Sequence, residues 1–135
     1  MRTKRVLQGG ISALAMGVVA VAMMPGSAQA LDWDHGPLYD TGKHAAAYIE
    51  EHGDRLKVCD TKTDGKKAWV NVFDYYSGDL VYSLTDEKND GKCSYRGASD
   101  GGKYNLAEYH KFDVIVSHEP SDNSGSYHFQ FLNDH

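Results

Sequence analysis

Beyond residue 30 the chain has no methionine, only two cysteines and no second apolar run to stop it in a membrane. Positive charge is scarce there too. Those 105 residues carry 11 Lys and Arg against 19 Asp and Glu, a formal charge of −8, which excludes holding a polyanion by bulk charge. Basic residues cluster only weakly, at Lys62, Lys66 and Lys67 on a turn, so nucleic acid is not an expected partner. No Ser or Cys nucleophile motif occurs, and no glycine-rich loop opens a helix to cradle a phosphate. Catalytic residues and cofactors are therefore not expected. Repeats, low-complexity tracts and composition shifts are also missing, and 135 residues leave room for one domain.

The first 30 residues supply what the remainder lacks. Arg2, Lys4 and Arg5 precede an uncharged run from Ile11 to Met24, and Ala28-Gln29-Ala30 follows Pro25 and Gly26. That order reads as a secretory signal peptide over 1–30 with cleavage before Leu31, and the run is too short for the roughly 20 residues of a membrane span. Secretion to the extracellular space is the expected localisation, with no membrane attachment after cleavage. In an oxidising compartment Cys59 and Cys93 have one possible pairing, a disulfide; the paired C-x-x-C spacing of zinc sites is missing.

All fifteen aromatics fall after residue 30 and argue for a packed core. Apolar alternation predicts strands over Arg55 to Asp60, Ala68 to Tyr76, Asp79 to Leu84, Lys103 to Glu108, Phe112 to His118 and Ser126 to Leu132. Between them lie turn sequences such as Asp64-Gly65, Ser77-Gly78, Asn89-Asp90-Gly91 and the run 121–125. Short strands at this spacing predict a sandwich or small barrel over 44–135. Residues 31–43 read as an extended arm. The segment His44 to His52 favours a helix on propensity, though nine residues make a marginal one and Ala46, Tyr48 and Glu50 also alternate as an edge strand would. The expected core is Leu56, Val58, Val70, Val72, Leu80, Tyr82, Val114, Val116, Phe129 and Phe131.

Three segments carry a resemblance: Gly53 to Gly65 with its Val58-Cys59-Asp60, then Gly91-Lys92-Cys93, then Asn105-Leu106-Ala107-Glu108. In that order they resemble a group of small secreted actinobacterial proteins. The resemblance implies an all-β fold, a small immunoglobulin-like two-layer sandwich, with a Cys59 to Cys93 bridge and a strand in 44–52. It implies no activity.

The seven histidines form no H-x-x-x-H or H-E-x-x-H motif, which predicts surface residues without a metal. Asp60 to Gly65 and Asp86 to Gly91 echo the start of a calcium loop, but Lys62 and Lys88 occupy ligand positions, so polar turns are expected. Asp74 to Asp86 looks like a segment of the secreted microbial guanyl-specific ribonucleases. Where that family has its catalytic His, Leu80 stands here, and the Glu and Arg pattern is missing too. A secreted hydrolase of that type is the alternative to the main expectation, a non-catalytic module binding an extracellular protein or wall polymer. Its expected binding face is Trp69, Phe73 and Tyr75, the aromatic side of a strand whose other side carries Ala68, Val70 and Val72.

Overall fold

A computed structural model describes residues 31–118 and 125–135. The leader expected over 1–30 and most of the turn expected over 121–125 lie outside them. The described residues form eight strands: β1 (His35–Tyr39), β2 (Ala45–Glu50), β3 (Arg55–Asp60), β4 (Ala68–Asp74), β5 (Leu80–Asp86), β6 (Ser94–Arg96), β7 (His110–His118) and β8 (Tyr127–Asn133). They form two four-stranded sheets, ordered β1-β2-β3-β6 and β5-β4-β7-β8, and every pairing is antiparallel. The chain changes sheet between β3 and β4, β5 and β6, and β6 and β7. That order places β5-β4-β7-β8 as strands C′-C-F-G of an immunoglobulin-like sandwich and β2-β3-β6 as A-B-E, with β1 added at the edge.

Period-two alternation drives the packing. Ala45, Ala47 and Ile49 of β2, Leu56 and Val58 of β3, and Ala68, Val70 and Val72 of β4 face inward. They meet Tyr82, Leu84, Phe112, Val114, Val116 and Phe131 in one core. Eight of the ten expected core residues are buried, and Phe129 packs partly buried at the margin. Leu80 is the exception at 52% exposure. Val72 pairs with Tyr82 but Phe73 pairs with Leu80, so the ladder carries an extra residue at Val81 and Leu80 turns to the outer face.

Segment 44–52 holds β2, with Ala45–Glu50 paired to β1 on one side and β3 on the other. Two hydrogen-bonded neighbours override the helix propensity of three alanines. The strand is internal to its sheet, not an edge. The segment expected as an arm supplies β1, so the sandwich begins at His35, inside residues 31–43. Lys103–Glu108 is not a strand; it holds the end of a 3₁₀ turn, Gly102–Tyr104, and a loop. Leu106 is buried there, but its N–H donates to the Asp54 carboxylate and not to a ladder.

Cys59 and Cys93 are bridged, with Cα atoms 4.5 Å apart. Val58 pairs with Ser94, so the bridge extends the β3–β6 register by one pair and lies within one sheet. Antibody domains instead join their two layers.

Candidate functional site

The outer face of β5-β4-β7-β8 is built by the residues that alternate away from the core. On β4 these are Trp69, Asn71, Phe73 and, past the strand end, Tyr75. Their neighbours on β7 are Ser117, Ile115 and Asp113. The three expected binding residues do not form one exposed patch. Trp69 is only 4% exposed, with Thr85 and Ser117 beside it across the ladder, and its Nε1 has no hydrogen-bond partner. Phe73 is half-buried and Tyr75 is 46% exposed. The usable surface thus starts at Phe73 and runs toward the β4–β5 turn.

There the face opens into a depression of about 310 Å³ lined by Phe73, Asp74, Tyr75, Gly78, Asp113 and Ile115. Leu80, turned outward by the bulge, pairs with Phe73. The Lys111 ammonium lies 4.2 Å from the Tyr75 ring centroid, a cation–π contact that holds the ring at the rim. Asp113 Oδ1 is buried without a hydrogen-bond partner, an acceptor whose desolvation is uncompensated in the free protein.

The β4–β5 turn is organised by Asp74. Its Oδ1 accepts the N–H groups of Tyr76 and Ser77, both at 2.9 Å, and its Oδ2 meets His110 Nδ1 at 3.0 Å. The Ser77 N–H first, and then His110, hold this carboxyl below the usual carboxylate range. Tyr76 stands edge-on to Tyr75 and to His110, with centroids 5.6 and 5.7 Å away. Sequence reasoning missed Tyr76, Asp113 and His110 because two of them arrive from β7. Asp74 to Asp79 is the turn itself, and the imidazole beside it is not where the ribonuclease segment carries one.

A second aromatic group lies on the outer face of the other sheet. Lys57 Nζ sits 3.9 Å from the Tyr48 centroid and 4.7 Å from that of Trp33, and burial pushes its pKa down. This group is filled by its own lysine. The two calcium-like loops are adjacent polar turns: Lys62, Lys66 and Lys92 N–H groups donate to Asp60, Asp64 and Asp90, and Asn89 reaches Thr63.

His118 departs from the expectation of surface histidines. It is 7% exposed, with Nδ1 2.5 Å from Asp40 Oδ2.

Fold and site together define an immunoglobulin-like sandwich with one disulfide inside a sheet and an aromatic, carboxylate-lined depression on the outside of the other. No protein-family model, curated protein or solved structure matches the chain.

Proposed function

We propose that this is an exported, non-catalytic recognition module that binds a wall polymer or extracellular protein through the depression around Phe73 and Tyr75. The observation that carries the reading is Asp113 Oδ1, a buried acceptor left unpartnered beside two aromatic rings. Ring faces stack on the apolar faces of sugars, and carboxylate oxygens accept their hydroxyl groups, so a hydroxyl-rich wall polymer is the favoured ligand class. Export is supported by the three-part leader and by the disulfide, which persists in oxidising compartments. Among the described residues no helix is long and apolar enough to cross a membrane.

Relation to the small secreted actinobacterial proteins is part of this proposal. Its support is that the three segments carrying the resemblance touch one another, through Cys59–Cys93 and through Asp54–Leu106.

The hydrolase alternative would use the Asp74–His110 pair, the one imidazole at this turn. Among the described residues it has no guanidinium to hold a phosphate, because Arg55 pairs with Glu50 at 3.7 Å and Arg96 lies 5.4 Å from the Tyr104 centroid. The test is capture on insoluble wall material and on secreted protein from the producing culture, with wild type and the Phe73→Ala, Tyr75→Ala double variant. Retention on wall material, lost in the variant, is the expected result. Unchanged capture excludes this face.

A further inference from the structure

Register places the Asp74 end of β4 beside Phe112 and the Ala68 end beside His118, so the depression and His118 mark opposite ends of the sandwich. At the His118 end three side chains converge, two from the β1–β2 connection and one from the last residue of β7. Asp40 follows β1, His44 precedes β2, and His118 closes β7. Asp40 Oδ1 accepts the N–H groups of His44 and Ala45 at 2.7 and 2.8 Å, which fixes the carboxylate and turns Oδ2 toward the imidazoles. That oxygen lies 2.5 Å from His118 Nδ1 and 3.5 Å from His44 Nδ1. The two rings have centroids 4.1 Å apart and planes tilted by 35°. All three donor atoms lie within 4.8 Å of one another.

We infer that Asp40, His44 and His118 form a three-ligand site for a divalent transition ion of the zinc type. Two imidazole nitrogens and one carboxylate oxygen suit such an ion and not calcium or magnesium, which take oxygen ligands. A tetrahedral ion with bonds of about 2.0 Å separates its donors by about 3.3 Å. The Asp40–His44 spacing already meets this, and the Asp40–His118 contact opens by about 0.8 Å when the ion replaces the shared proton.

Two further features fit a metal centre. His44 Nε2 lies 3.7 Å from Asp64 Oδ2, which places a carboxylate where the outer partner of a ligating histidine is commonly found. Asp40 is 3% exposed, whereas the His44 side chain is 23% exposed, so the fourth coordination position opens on the His44 side. His44 Nδ1 also lies 3.3 Å from the Thr41 carbonyl, the acceptor for its proton when no ion is bound.

The purified protein, stripped with a chelator, is titrated with Zn²⁺ by calorimetry and with Co²⁺ by visible absorption. One equivalent of each should bind, and Co²⁺ should give the intense bands of a four- or five-coordinate site. His118 is buried, so the decisive variant is H44Q, at the more accessible of the two histidines, which should weaken Zn²⁺ binding at least ~10-fold; D64N should weaken it by about 10-fold. H135Q, in the separate Glu51–Asp134–His135 group, should leave the affinity unchanged. Absence of a saturable equivalent, affinity unchanged in H44Q, or loss of binding in H135Q overturns the assignment.

Discussion

Asp54 Oδ2 accepts the main-chain N–H of Leu106 at 2.8 Å across 52 residues of sequence. Its Oδ1 accepts from Asn133 Nδ2 at 2.9 Å. One buried carboxylate thus ties the β2–β3 turn to the loop before β7 and to the end of β8. Burial raises its pKa, and the two donors offset only part of that.

A carboxyl whose native pKa lies above its unfolded value binds more protons folded than unfolded. Its contribution is fully present below the ordinary value of 3.8 and is lost as pH rises through the raised native value. Asp54→Asn removes that titration and turns an amide N–H₂ toward one of the two donors, a loss of about 1–3 kcal/mol. The variant should be the less stable at every pH. The gap should widen as pH falls from neutral and stop widening below 3.8. Urea unfolding across a pH series reads this directly, and a gap that narrows on acidification contradicts it.

The bridge closes a loop of 34 residues in sequence separation. Removing it with C59A and C93A together should destabilise the fold by about 3–4 kcal/mol in the chain-entropy model. The urea midpoint is the measurement, compared with wild type under oxidising and reducing conditions. Wild type in reductant should fall to the level of the double variant.

Asp113→Ala separates stability from recognition. Deleting a buried, unpartnered acceptor should leave the free protein as stable as wild type or more so. Capture on wall material should fall by about 10-fold, equivalent to about 1.4 kcal/mol. Thermal unfolding and capture are measured on the same preparation; a matched loss of both would mean Asp113 serves only the fold.

Gly36 and Gly78 form a matched pair of positive-φ sites. A Cβ on Gly36 would lie 2.8 Å from the Ala47 carbonyl oxygen and 2.9 Å from Tyr48 Cδ1, while one on Gly78 would meet open space. Gly78→Ala should cost about 1–2 kcal/mol for the left-handed backbone alone. Gly36→Ala should cost more and should raise amide exchange in β1 and β2 first, because β1 pairs only with β2.

Strand content was legible because alternation in β3, β4, β7 and β8 matches a half-covered sheet. Where local propensity or alternation pointed the wrong way, a tertiary contact displaced it. Ala45–Glu50 became a strand because β1 and β3 both pair with it, and Lys103–Glu108 failed to become one because Asp54 takes the Leu106 N–H. Leu80 was assigned inward because a single extra residue in a strand leaves no sequence signal. The depression was half visible: Phe73 and Tyr75 lie on one strand at the right spacing, but Asp113 and His110 come from β7 through pairing alone. The depth of Trp69 is not legible in the sequence, because period two says which face a residue takes and not how deeply that face is covered.

A bridge between neighbouring strands of one sheet has a mechanical meaning. Pulled from its two ends, the protein can separate its layers without straining the Cys59–Cys93 bond, since that bond never crosses between them. The chain between the two sulfurs, which includes β4 and β5 at the centre and edge of the opposite sheet, is bypassed by the covalent tension and cannot be drawn out while the bond is intact. Tension therefore travels through β3 and β6 directly. Reduction releases a hidden length of about 120 Å, taking about 3.4 Å per extended residue, so the redox state of its surroundings sets how far this protein stretches before it yields.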